Sequence, residues 1–250
     1  MSTRVEVVSA WYNEQDLAPF FLNHYRYADT IHILYDEDTD DETLNIIDRY
    51  DNVLLHPIFY PDGIDWETKS NTVNALAMDC DADWVIAVDA DEFIWPIDHI
   101  DNVKEWLAVQ EGNLISAALF TVYRHSTEAP LDPANPSVFQ RRHGDPRFGI
   151  SYEQTGYIKP CVAKPETQVK WSCGIHSYFP TDAIRENKEP MVGAHWCMAD
   201  ADMAVRRRLG QMRRQSRNNI EKNHGYQNFH ITEEAIRKEC NEHECDPRLF

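Results

Sequence analysis

The residues best able to do chemistry lie in Asp89-Ala90-Asp91-Glu92, three carboxylates within four positions. They follow Trp84-Val85-Ile86-Ala87-Val88, an apolar run that reads as a buried strand. Like charges crowded at the end of such a strand repel one another unless something positive is shared among them. Hard divalent cations such as Mn²⁺ and Mg²⁺ prefer oxygen ligands, and Mg²⁺ commonly takes one or two carboxylates plus the phosphates of a substrate. Asp89 and Asp91 at a strand end supply that arrangement. The bare pattern of two Asp flanking one residue also occurs at Asp38/Asp40, Asp79/Asp81, Asp81/Asp83 and Asp200/Asp202. Only Asp89/Asp91 directly follows a fully apolar strand, where the backbone is held at a sheet rim; the others read as helix ends or solvated turns.

The elements around this strand place further polar groups. Val5–Ala10 reads as a short strand running into Trp11-Tyr12-Asn13-Glu14, then a helix with Leu17, Phe20, Phe21 and His24 on one face. Ile31–Asp36 is a second strand ending in acid. Thr39 and Glu42 have the spacing of a capping box opening a helix with Leu44, Ile47 and Tyr50. Val53–Phe59 is a third strand. After Pro61-Asp62-Gly63 a helix carries Val73, Leu76, Ala77 and Cys80 on one stripe, and the Trp84 strand follows. This alternation predicts an α/β fold, a mainly parallel sheet flanked by helices. Ligands bind such sheets outside the carboxyl ends of the strands, so Asn13/Glu14, Asp36 and Asp89/Asp91/Glu92, distant in sequence, are expected on one rim. Glu92 reads either as a third ligand or as the partner of an arginine, and Lys69 either reaches a diphosphate or is a solvated helix lysine.

Beyond residue 100 the pattern loosens. A helix is expected around Ile100–Val109, a strand at Leu114–Tyr123 and a long Pro-, Arg- and His-containing loop at Arg124–Gly149. Strand-like pieces recur at Gly156–Ala163 and Gln168–His176. Gly193-Ala194-His195-Trp196 precedes a helix with Arg206, Arg207, Arg208, Arg213, Arg214 and Arg217. That helix reads as a solvated amphipathic helix with Met203, Leu209 and Met212 inward, or as one whose arginines grip phosphates or an anionic acceptor. Thr232–Cys245 is a polar helix.

The 42 Asp+Glu against 24 Lys+Arg give a net charge of −18, which argues against a protein that coats nucleic acid or an anionic membrane. No apolar run approaches the length of a membrane span, and Met1–Gln15 lacks a signal-peptide apolar stretch. The six cysteines show no framework spacing, so reduced thiols and a cytoplasmic location are expected. Cys240, His243 and Cys245 offer three soft ligands without a fourth.

Taken in order, these segments resemble the nucleotide-sugar glycosyltransferases of the GT-A fold, close to the family-2-like group. The likeness is carried by Tyr12-Asn13-Glu14 and the helix through Tyr25, Ile33–Asp36, Lys69 through Asn74-Ala75-Leu76, and Asp89-Ala90-Asp91-Glu92-Phe93. It continues through Lys159-Pro160 with Val162–Pro165, Gly174-Ile175-His176, and His195-Trp196. It spans roughly residues 4–215. The resemblance implies a GT-A, Rossmann-like domain over 1–215 with a smaller antiparallel acceptor-side region; 216–250 lie outside it and read as a helical tail packed on it or extending from it. Asp36, Asn13 and Glu14 would line the nucleotide pocket, with Lys69 at the diphosphate and Asp89 at the ribose and metal edge. Asp91 would ligate Mn²⁺ or Mg²⁺, completed by His176 or His195.

The implied reaction moves a sugar from a nucleoside diphosphate sugar to an acceptor hydroxyl. The acceptor could be a glycan, a lipid-linked saccharide, a protein or a modified nucleobase. Inversion, usual in the group, requires a general base, for which Glu153 and Asp145 are the candidates. The rival readings are a nucleotidyltransferase-like metal–phosphate enzyme and a non-catalytic nucleotide-sugar binding module. Against the first stands the lack of glycine after the first strand, Ser9-Ala10-Trp11-Tyr12-Asn13.

Overall fold

The computed structural model describes residues 3–144, 158–224 and 229–250. One sheet organises them, with strands β1 (Val5–Trp11), β2 (Thr30–Asp36), β3 (Val53–Ile58), β4 (Trp84–Ala87), β5 (Glu92–Pro96), β6 (Leu114–Tyr123), β7 (His143–Gly144), β8 (Ile158–Ala163) and β9 (Met191–Met198). Their order across the sheet is β3-β2-β1-β4-β8-β6-β9-β5, with β7 paired to β6. β3, β2, β1 and β4 are mutually parallel. β8 runs antiparallel between β4 and β6, and β5 pairs antiparallel with β9. This is the expected α/β architecture, a parallel half joined to a mixed region in which β8, β7 and β5 run antiparallel to their neighbours while β6 and β9 pair parallel.

The parallel half follows from composition. β1 and β4 are buried on both faces and read as near-continuous apolar runs, as parallel strands covered by helices must. The covering helices are α1 (Ala18–His24), α2 (Thr43–Ile47) and α3 (Trp66–Asp79). α3 begins where the Asp65 carboxylate accepts a hydrogen bond from Thr68 N (2.7 Å), satisfying one of the orphan amides of its first turn. In the mixed region lie α4 (Val103–Ala108), α5 (Ala201–Arg213), α6 (Arg217–Lys222) and α7 (Glu233–Glu242). α6 is pinned to the start of α3 by buried Asn219, which donates to Ile64 O and accepts from Trp66 N. α7 packs on α5 through fully buried Ile236, beside Met198 and Ala204.

The fourth strand ends at Ala87, and Asp89-Ala90-Asp91 forms a turn into β5. Two bonds close the turn, Glu92 N to Asp89 O and Asp89 N to a Glu92 carboxylate oxygen, both 3.0 Å. Tyr25, at the end of α1, donates its hydroxyl to Glu92 O (2.9 Å) and accepts from Ile94 N (3.2 Å), fixing the start of β5. β9 closes on the other side. Gly193 faces Ile94, and a Cβ there would stand 2.4 Å from Phe93 O, so only glycine permits this approach.

Two local expectations fail. Thr39 does not cap α2; Asp41 accepts from Thr43 N (2.9 Å), and Thr43 Oγ1 is taken by Glu14 N (2.7 Å), a bond across to the first loop. Gln168–His176 is not a strand. Gly174 at φ +73° bends Cys173–Ile175 into a 3-10 turn.

Candidate functional site

The carboxyl ends of β1, β2 and β4 converge with β8, β9 and α5 on a rim of ion pairs. Asp89 receives Lys69 Nζ on one oxygen (2.7 Å) and Lys159 Nζ on the other (3.0 Å). Lys159 also contacts Glu92 at 2.6 Å, and both of those side chains are fully buried. Asp91 accepts Arg207 Nη1 at 2.8 Å, with His195 Nε2 3.5 Å from the same oxygen. Arg207 turns its other edge to Glu14 in a two-point contact, 2.8 and 3.0 Å. Arg214 binds Asp36 (2.5 Å) and Asp38 (2.8 Å) and lies over the Tyr12 ring, 4.1 Å from its centroid.

Each of these placements has a local cause. Glu92 stands opposite His195 in the β5–β9 register, and Trp196 N donates to Asp91 O (2.7 Å), so β9 delivers its histidine to the turn. Lys69 sits on the first turns of α3 with its ammonium 4.7 Å from the Trp66 ring centroid, and from there reaches Asp89. Asn13, at φ +52°, is spent on a loop brace. Its amide donates to Asp40 (2.7 Å) and its oxygen accepts Asp40 N (3.0 Å), tying the exit of β1 to that of β2.

Burial sharpens the electrostatics. Burial opposes ionisation of Asp91, yet Arg207 and His195 outweigh it and hold the carboxyl well below its usual range. Asp89 is lowered in the same way, burial being overcome by Lys159 and Lys69. Burial pulls His195 down, but Cys197 and Asp91 together hold it well above its ordinary value. Glu14 goes the other way: burial wins over Arg207 and pushes its carboxyl up to about 7. His176 is held below its usual value by burial and by Lys159, and it also feels Glu92, Asp89 and His195, so it borders the same cluster.

Glu14, Asp36, Lys69, Asp89, Asp91, His176 and His195 therefore share one rim, while Asn13 braces its edge. Asp145 and Glu153 lie outside the described residues. The positive charge among the rim carboxylates is supplied by protein side chains, and three of them, Lys159, Arg207 and Arg214, are not singled out by a reading of the sequence. Lys159 falls in the strand-like segment Gly156–Ala163, which is β8, without a role read for it; the available signal was a lysine within the otherwise apolar run Ile158–Ala163. Arg207 and Arg214 are seven residues apart, two helical turns, so both project from one side of α5 and its C-cap. That spacing is legible, but which of six arginines face the acids is not.

Asp91 and His195 bring a carboxylate oxygen and an imidazole nitrogen together, a donor pair suited to Mn²⁺ or, with phosphate oxygens, Mg²⁺. Arg207 holds the same Asp91 oxygen and Asp91 favours the protonated imidazole, so a cation there requires the guanidinium to let go and His195 to give up its proton. The set fits a divalent ion whose remaining ligands come from a substrate.

No protein-family model matches the chain, and no curated protein matches its sequence. Solved structures similar to it include TarS residues 1–349 from S. aureus in complex with UDP-GlcNAc, at 11% identity and a TM-score of 0.43, covering 87% of this chain and 69% of that one. Another is glucosyl-3-phosphoglycerate synthase from Mycobacterium tuberculosis in complex with Mn²⁺, UDP and phosphoglyceric acid, at 18% identity and 0.32, covering 48% and 43%. A third is a 4-diphosphocytidyl-2C-methyl-D-erythritol synthase, at 12% identity and 0.37, covering 67% and 77%. Overlaps this loose leave function to be read from the rim itself.

Proposed function

We propose that the chain is a GT-A-type glycosyltransferase, moving a sugar from a nucleoside diphosphate sugar to an acceptor hydroxyl with inversion. One observation carries the reading: Asp36 at the end of β2 and Asp89/Asp91 beyond β4 lie on one rim, each already held by a basic side chain able to turn to a phosphate. A nucleoside would lie against Tyr12 with Asp36 at its base or ribose, and its diphosphate would reach Lys69 and Arg207. Mn²⁺ or Mg²⁺, held by Asp91 and His195, would supply charge neutralisation for the departing nucleoside diphosphate.

Arg207 has two anionic demands in the resting rim, Glu14 and Asp91. Offered a diphosphate, it can leave both for a more highly charged partner in the same fork geometry, freeing Asp91 for the cation. Glu14, with its carboxyl already at about 7, then takes a proton at little cost rather than stand as a buried bare charge. The acceptor's proton goes to a base in 145–157, Glu153 first and Asp145 second. What supports that choice is that the segment leads in sequence directly to β8, whose Lys159 sits on Asp89. Among the described residues no helix is long and apolar enough to cross a membrane.

Calorimetric titration with nucleoside diphosphates in the presence of Mn²⁺, beside hydrolysis of a panel of nucleotide sugars, tests the reading. Wild type should bind one diphosphate and hydrolyse its sugar, and Asp91→Ala should lose hydrolysis. If wild type binds no nucleoside diphosphate and hydrolyses no nucleotide sugar, the reading is wrong.

A further inference from the structure

A second cluster of reactive side chains lies toward the amino ends of the same strands, away from the rim. Glu6 is the second residue of β1, His32 the third of β2, and Cys80 follows the last residue of α3. One ligand atom from each, a carboxylate oxygen, an imidazole nitrogen and a thiol sulfur, lies within 4.8 Å of the others. Glu6 is only 3% exposed and His32 8%, while Cys80 is half-buried.

Glu6 and His32 each turn a donor atom to the common centre, while the Cys80 thiol donates to Leu76 O (3.3 Å), one turn back along α3. Glu6 has one oxygen on Arg4 (2.9 Å) and turns the other to His32 Nε2 (2.9 Å). The opposite nitrogen of His32, Nδ1, is 3.0 Å from His56 Nε2 on β3. With Nδ1–H donating to His56, the Nε2 lone pair of His32 faces Glu6 and Cys80. Metal-bound histidines are oriented in this way by a partner on the far nitrogen, and ligating carboxylates are held likewise. An ion pair alone accounts for Glu6 and His32. It does not involve Cys80, yet the end of α3 brings that thiol sulfur within 4.8 Å of both buried donors. A bound cation would draw the sulfur off the Leu76 carbonyl as a thiolate and balance the charges of Glu6 and Cys80.

We propose that Glu6, His32 and Cys80 form a binding site for a borderline-soft divalent cation, Zn²⁺ above all, with solvent as the fourth ligand. Thiolate, imidazole and carboxylate together are a zinc donor set, with bonds of about 2.0–2.3 Å. The ion ties β1 and β2 to the α3–β4 junction, and its site stands apart from the reading of the rim.

The test uses the full chain stripped with chelator and titrated with Co²⁺, whose thiolate charge-transfer absorption reports sulfur ligation. Wild type should show a saturable band at one equivalent, displaced by Zn²⁺. Cys80→Ser should abolish it. Cys197→Ser, which alters the thiol beside His195, should keep it. His56→Ala should keep the band but weaken affinity about 10–100-fold. A measurement on wild type needs no variant to fold: stoichiometric Zn²⁺ should slow alkylation of Cys80, read by mass spectrometry. Absence of the band in wild type, its survival in Cys80→Ser, its loss in Cys197→Ser, or unchanged Cys80 alkylation overturns the proposal.

Discussion

Arg207 is the side chain whose removal the structure makes most informative. Its guanidinium is 8% exposed and faces two carboxylates, Glu14 at 7% and Asp91 at 10%. Arg207→Met keeps the apolar stem and deletes the charge, leaving both acids buried. Breaking a buried pair from one side costs about 3–5 kcal/mol, and here the loss divides into a part that depends on pH and a part that does not. Asp91 retains His195 and stays ionised throughout. Glu14 already stands at about 7 against an ordinary 4.5, so its folded state binds a proton more readily than its unfolded state. For a carboxyl raised on folding, the favourable contribution is complete below the unfolded value and is lost as pH rises through the folded one.

Removing Arg207 raises Glu14 further. Below about pH 7 the group is protonated in variant and wild type alike, and its share of the difference vanishes. One unit above that, near pH 8, its share reaches at most about 1.4 kcal/mol. Urea unfolding of both proteins should therefore show a penalty of about 3–5 kcal/mol near pH 8 that shrinks by about 1 kcal/mol near pH 6. Adding Glu14→Gln should recover stability at the higher pH and little at the lower. A penalty under about 1 kcal/mol near pH 8, or one that does not shrink on acidification, refutes the shared-arginine account.

Three other outcomes are expected. Lys159→Met should cost about 3–5 kcal/mol in chemical denaturation, because fully buried Glu92 loses its 2.6 Å partner, and Glu92→Gln in the same chain should restore a good part; no rescue would mean the two are not coupled. His24, held neutral by burial and bonded to Ile94 O at 2.9 Å, is lowered from 6.5 to about 4, so its contribution is whole above the unfolded value and is lost as pH falls through that window, about 3 kcal/mol in all. His24→Phe should flatten that part of the acid limb in thermal melts, and an unchanged limb would contradict the burial argument. Glu153→Gln should lower transfer kcat by about 10²–10⁴-fold with nucleoside diphosphate binding intact, whereas wild-type kcat in both Glu153→Gln and Asp145→Asn would remove the base from this segment.

The parallel half was legible because its code is local. Val5–Ala10, Ile31–Asp36 and Trp84–Ala87 are apolar runs of strand length, each ending in polar groups at the carboxyl end, and strand order brings those ends together whatever the helices do. Thr39 misled because a capping box and an Asx turn share residue types, and the competition was decided by Thr43, which a distant amide had claimed. Lys159 was illegible as a site residue because its meaning depends on β8 being inserted antiparallel beside β4, a long-range fact with no local mark. The same holds for Arg207 and Arg214: the helix was visible, its rotation about its own axis was not. Glu6 and His32 are the reverse case, polar residues in apolar strands whose partner, Cys80, only the crossover through α3 supplies.

Gly193 has a reach beyond its own backbone. The two strands on either side of it meet so closely that the room for His195 to stand beside Asp91 is set by a missing methyl group two residues upstream. Any alanine-sized addition there would wedge β9 off β5 and swing the imidazole outward while every polar side chain of the rim kept its identity. A gene carrying that single change would look intact to anyone comparing acids and histidines, and its product would fail from a gap between hydrogen-bonded ribbons.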